Sequence, residues 1–176
     1  MADEQDKTIE ALKIAVKMEI DGKEFYLKSS QQSSNELGRR LLKSLAVEED
    51  YHRNKFEQIY NSIRVKKSWP IIDFQPDNGQ KLRTIFATAT EAMGPDIKPA
   101  GSELEAVQKA MDMENKSRDF YIEQVKNTTV EEQKTFFEMV AGEEREHHII
   151  LMDYYDFLKD PSGWYVRKEH PSLDGG

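Results

Sequence analysis

The chain of 176 residues is 33% charged and 38% hydrophobic, with a formal net charge of −8 and a pI near 5.1. That length suits one domain over 1–176 with a sizeable core, and the acidic balance argues against a nucleic-acid partner, which wants a basic patch. There is no cysteine for a disulfide, thiolate metal site or thiol nucleophile, no apolar run near the roughly 20 residues of a membrane span, and no signal-peptide layout in "MADEQDKTIE", so a cytoplasmic protein without a membrane partner is expected.

Four segments carry helical periodicity. The first is predicted over about 8–31, with Leu12, Ala15, Glu19, Gly22 and Tyr26 on one stripe. The second, about 35–66, aligns Leu41, Leu45, Glu49, His52, Phe56, Ile59 and Ile63, the seam spacing of packed helices. A crossover of about 67–101 contains Pro70, Pro76, Pro95 and Pro99, and "QKLRTIFATATEAM" within it reads as a short helix packed outside the others. The third main helix, about 102–127, opens on Ser102 and Glu105, which resemble a capping box. It lines up Leu104, Val107, Ala110, Glu114, Ser117 and Tyr121. The fourth, about 130–159, lines up Phe137, Val140, Glu144, His147, Leu151, Tyr154 and Leu158, and ends at Asp160-Pro161. The tail 160–176 reads as irregular, with Trp164 and Tyr165 packing down. The links "QQSSN" and "NTT" are short enough to make each helix pair an antiparallel hairpin. The expected fold is therefore all-α: an antiparallel four-helix bundle of two hairpins joined by a long crossover.

The two hairpins are copies. Shifting the chain by 95 positions without gaps lays Glu10-Ala11 on Glu105-Ala106, Met18-Glu19 on Met113-Glu114, and Phe25-Tyr26 on Phe120-Tyr121. It also lays Ala46 on Ala141, Glu48-Glu49 on Glu143-Glu144, His52 on His147 and Tyr60 on Tyr155. A duplicated hairpin, its copies related by a pseudo-twofold axis, is the simplest reading.

The repeat places polar residues where core residues belong. Glu19, Glu49 with His52, Glu114, and Glu144 with His147 all fall on apolar stripes. Unpaired carboxylates in such positions would cost several kcal/mol each or take up protons. No Lys or Arg shares these seams, so the positive charge must come from elsewhere, and two divalent cations supply it. Residues three apart share a helix face, so the Glu and His of each E-x-x-H can reach one metal, while Glu19 and Glu114 can bridge or cap. Four carboxylates and two imidazoles suit two iron ions, or manganese, better than zinc, and match the ligand pattern of di-iron and di-manganese bundles. Glu48 and Glu143, just before the E-x-x-H glutamates, are expected to face outward. His148 and His170 are expected at the surface, and Trp69 and Trp164 as anchors for loop and tail.

The text "AVKMEIDGKEFY" with "AVEEDYH", then "AMDMENKSRDFY" with "AGEEREHH", resembles the rubrerythrin branch of the ferritin-like superfamily over most of the chain. The resemblance implies a di-iron centre held by Glu19, Glu49, His52, Glu114, Glu144 and His147, with Tyr26 and Tyr121 hydrogen-bonded to ligand carboxylates. It also implies a reaction with hydrogen peroxide or dioxygen in which the four glutamates are the catalytic set. Two departures stand out. No cysteine is present for a rubredoxin-type centre, so electrons would come from an external redox protein. Ser117 stands where the family carries an additional glutamate, leaving a symmetric six-ligand site closer to a ferroxidase or simple oxidase. The expected function is a di-iron peroxidase or oxidase working as a homodimer. Iron storage or handling, and a non-catalytic metal-binding bundle, are the alternatives.

Overall fold

The structure is a computed structural model that describes residues 2–99 and 101–169. Among them it is all-helical: α1 (Ala2–Gln32), α2 (Glu36–Lys66), α3 (Gln80–Ala92), α4 (Gly101–Asn127), α5 (Glu131–Lys159) and α6 (Pro161–Glu169). The most extensive packing is of α1 on α2 and of α4 on α5, with α1 also against α4 and α2 against α5. This is a ferritin-like helical bundle. α2 and α5 start at Glu36 and Glu131, in register with the 95-residue repeat.

Local chemistry explains the helix ends. Asn35, extended at φ −129°, accepts a 2.7 Å bond from Gly38 N and so caps α2. Glu36 in its first turn and Arg64 and Lys66 in its last complement the helix dipole. α4 begins at Gly101, so Ser102 lies inside the first turn and does not cap it. Nearby Glu103 instead ties α4 to the α1–α2 link, accepting from Ser33 Oγ at 2.9 Å and Ser34 N at 2.7 Å.

The expectation for the tail is overturned. The tail is not irregular where it is described, since residues 161–169 form α6. Asp160-Pro161 ends α5 and also starts the next helix. Asp160 Oδ1 accepts from Gly163 N at 2.9 Å, and Pro161 takes the first helical position, where its missing N–H costs nothing. α6 docks through Trp164, whose ring lies 5.7 Å from Phe86 and 5.4 Å from Phe157. Tyr165 donates to Thr90 O at 2.5 Å and Met93 O at 2.8 Å. His170 lies outside the described residues.

The apolar core has two parts, with a polar layer between them. One holds Leu41, Leu45, Val107, Ala110, Leu151 and Tyr154, joined by Leu82 and Phe86 of α3. The other holds Leu12, Ala15, Phe56, Ile59, Tyr121, Phe137 and Val140. Along α2, Glu49 and His52 fall after Leu45 and before Phe56. Along α5, Glu144 and His147 fall after Val140 and before Leu151. The bundle thus brackets its buried charges on both sides with packed hydrocarbon.

Candidate metal centre

All six predicted ligand residues meet in that layer. Glu19, Glu144 and His147 are fully buried, and His52, Glu49 and Glu114 expose 1–3% of their surface. Two overlapping groups each have donor atoms within 4.8 Å of one another. The first is Glu19, Glu49, His52 and Glu144, and the second is Glu49, Glu114, Glu144 and His147. Glu49 and Glu144 belong to both, so they stand where bridging carboxylates would, whereas Glu19 and Glu114 each stand at one end. The imidazole rings of His52 and His147 lie parallel, 5.6 Å apart with an 11° interplanar angle.

The atoms facing the centre lack hydrogen-bond partners. Glu19 Oε2, Glu49 Oε1, Glu114 Oε2, both oxygens of Glu144, and Nδ1 of His52 and of His147 are buried in this way. His52 Nδ1 lies 3.2 Å from Glu144 and 3.4 Å from Glu19. His147 Nδ1 lies 3.2 Å from Glu49 and 3.5 Å from Glu114. These are ion-pair distances without hydrogen-bond alignment. So many orphaned polar atoms converging on one point is the arrangement a pair of cations resolves. Hard oxygen donors with two imidazoles fit iron or manganese.

The electrostatics of the metal-free chain carry the same strain. Burial first, then the charges of Glu19 and Glu114, push the Glu49 carboxyl well above its ordinary range. Burial and the charges of Glu114 and Glu49 do the same to Glu144. Burial would lower His147, but Glu114, Glu48 and Glu49 raise it well above the usual imidazole value. Burial would raise Glu114, yet the positive charge of His147 keeps it below the ordinary value.

Tyrosines support the end carboxylates crosswise. Tyr26 of α1 donates to Glu114 Oε1 of α4, and Tyr121 of α4 donates to Glu19 Oε1 of α1. Both hydroxyls are held well above their usual pKa, by burial and then by those same glutamates, so they remain donors.

Three features of this site escaped the sequence reading. Gly22 is buried in α1, where an added Cβ would lie 2.5 Å from Glu49 Oε2, so its lack of a side chain makes room for the Glu49 carboxylate. Glu48 does not face outward: its side chain is 13% exposed and its Oε2 lies 2.8 Å from His147 Nε2. Glu143 does not face outward either, being buried and accepting from Asp77 N at 3.0 Å and Asn78 N at 2.8 Å. The identity of Glu48 and Glu143 across the repeat was the available signal. His148 turns away from the centre, half-buried, with Nδ1 3.3 Å from Met111 O.

The crossover covers one side of the layer. The ring of Phe74 lies 5.8 Å from His52 and 5.5 Å from Tyr51, and Tyr51 Oη accepts from Gln75 N at 3.1 Å. Trp69 packs against Phe136 and Phe137, as an anchor should.

A family model, Rubrerythrin, matches residues 10–155. The chain belongs to the rubrerythrin family. That match takes in α2, α3, α4 and most of α1 and α5, and so all six residues of the centre. No curated protein and no solved structure matches the chain significantly. Among the described residues no helix is long and apolar enough to cross a membrane.

Proposed function

We propose that this rubrerythrin-family chain is a di-iron carboxylate oxidoreductase that reduces hydrogen peroxide or dioxygen with electrons from an external redox protein. The observation that carries the reading is the set of buried, unpartnered donor atoms on four helices. Glu19, Glu49, His52, Glu114, Glu144 and His147 would hold two metal ions. Two bound iron(II) ions would supply the two electrons that, with two protons, convert hydrogen peroxide into two water molecules.

The chain's own residues do the remaining work. Glu49 and Glu144, common to both groups, would balance the charge of both metal ions, and Glu19 and Glu114 would each serve one. Tyr121 and Tyr26 fix the orientation of those caps by hydrogen bonding. Phe74 and the aromatic residues around Phe56, all of one apolar cluster, limit water on that side of the layer, and Leu41, Leu45 and Leu151 pack on the other. These 176 residues contain no cysteine, so a cysteine-ligated iron centre within them cannot deliver electrons. Ser117, buried on α4 three residues after Glu114 and standing in place of the family's additional glutamate, leaves the ligand set symmetric.

Anaerobic loading with iron(II), followed by hydrogen peroxide or dioxygen in separate experiments, tests the proposal. Consumption of about one peroxide per two irons supports it, and a ferrous protein left unchanged by both oxidants refutes it. Size-exclusion chromatography of the loaded protein bears on iron storage: a homodimer fits the oxidoreductase, whereas a large multi-subunit particle holding many irons per chain fits storage.

A further inference from the structure

Glu48 and Glu143 are the same residue in the two copies of the repeat, yet they are spent differently. Glu48 Oε2 lies 2.8 Å from His147 Nε2, on the side of the ring opposite the metal-facing Nδ1. A carboxylate there keeps a proton on Nε2, leaves the Nδ1 lone pair for a metal, and locks the plane of the ring. Glu143 does not do this for His52; its two oxygens instead accept from the crossover, at Asp77 N and Asn78 N. That stretch turns through two left-handed residues, Asn78 at φ 53° and Gly79 at φ 71°, which aims successive N–H groups at one anion. Among the described residues, no carboxylate makes the corresponding bond to the outer nitrogen of His52. Its ring is held by packing instead, against the stacked pair Phe74, at 5.8 Å, and Tyr51, at 6.3 Å.

We propose that the two metal positions are unequal, with Glu48 a positioning residue that makes the His147 position the tighter one, while Glu143 has been diverted to hold the crossover. The inference rests on the two-metal reading above. It assigns the same first ligands to both halves and locates the difference one bond further out. A symmetric ligand set then fills in order: the position at His147, Glu114, Glu49 and Glu144 first, the position at His52 and Glu19 second.

The test is titration of the metal-free protein with cobalt(II), followed by calorimetry and by proton NMR of the exchangeable imidazole N–H signals. Two binding steps separated by about tenfold or more are expected, since lost outer partners of a ligating histidine typically cost about 10–100-fold in affinity. One imidazole N–H should exchange slowly with solvent and the other quickly. Glu48→Ala should weaken the tighter step by about 10–100-fold, leave the weaker step in place, and abolish the slow-exchanging signal. Glu48→Gln, which keeps an acceptor, should restore part of both. Glu143→Ala should preserve the stepwise binding while speeding amide exchange at Asp77 and Asn78. Equal steps in the unaltered protein overturn the proposal. So does a Glu48→Ala protein with unchanged steps or with both steps equally weakened. If cobalt does not bind at all, the two-metal reading itself has failed, a result distinct from equal binding.

Discussion

Tyr26 of α1 donates its hydroxyl to Glu114 of α4, and the repeat returns the contact through Tyr121 and Glu19. Each tyrosine therefore serves the end carboxylate of the opposite hairpin. The pair stitches α1 to α4 at the level of the centre, and neither half builds its site alone.

Removing one hydroxyl should be felt at one position. Tyr26→Phe deletes the donor to Glu114 Oε1 and keeps the ring volume in the core. Metal affinity at the position that includes Glu114 should fall by about 10–100-fold, the usual loss when a ligand's outer partner is removed. Tyr121→Phe should do the same at the Glu19 position. Calorimetric titration of each variant checks this, and an unchanged isotherm would deny the tyrosines a role in orienting ligands.

Gly22 yields a prediction in which two effects oppose. Alanine should gain about 1 kcal/mol of helix propensity in α1, while its Cβ would press on Glu49 Oε2 from 2.5 Å. That oxygen ends a flexible side chain, so in the metal-free protein Glu49 can give way and stability should change by less than about 1 kcal/mol. Its position as a shared ligand is lost in doing so. Gly22→Ala should therefore melt near the parent temperature and bind metal at least about tenfold more weakly. Circular dichroism melts paired with metal titration distinguish this from a general packing defect, which would lower the melting temperature by several degrees.

The metal-free protein should lose stability as pH rises. Glu49 and Glu144 are held well above the ordinary 4.5, by burial first and then by the neighbouring carboxylates, and His147 is held well above the ordinary 6.5 by Glu114, Glu48 and Glu49 against the opposing effect of burial. Groups with raised values bind protons more tightly folded than unfolded, so folding takes up protons and stability falls with increasing pH. The carboxyl contribution is complete below about 4.5 and fades as pH climbs through their folded values. The contribution of His147 is complete below about 6.5 and fades above that. Glu114 is held low, so it has the opposite sign and destabilises only in stronger acid. The urea midpoint of the metal-free chain should drop from pH 5 to pH 9, and saturating metal should remove the trend, because metal replaces those protons. A midpoint rising across that range would contradict the assignment.

Phe74 belongs to the crossover but is buried against His52 and Tyr51. Phe74→Ala should cost about 3 kcal/mol, toward the low end for a buried phenylalanine because the strap can settle into part of the space. It should also open the His52 side to water, speeding metal release to a chelator. Chemical denaturation and chelator kinetics measure the two effects separately.

Much of this was legible in the chain because helices bury stripes. The residues aligned with Leu41, Leu45 and Phe56 had to point inward, and Glu49 and His52 shared their phase. Every residue of the predicted α5 seam, from Phe137 through Leu158, is buried. Glu48 and Glu143 escaped it because periodicity assigns one face per residue, whereas α2 and α5 each bury a second face against a neighbour. For Glu143 that neighbour is the Asp77–Gly79 turn, whose path depends on left-handed residues rather than on hydrophobic phase. α6 was missed for a related reason: Asp160-Pro161 was read only as a stop, although aspartate followed by proline is equally an opening signal.

The central claim is that four helices converge on two metal ions. Equilibrium dialysis of the metal-free protein against iron(II) under anaerobic conditions tests it most directly, with the Glu49→Ala, Glu144→Ala double variant alongside. Two irons per chain in the parent and none in a variant that stays helical is the predicted result. Fewer than one iron per parent chain, or full binding by the double variant, would contradict the account.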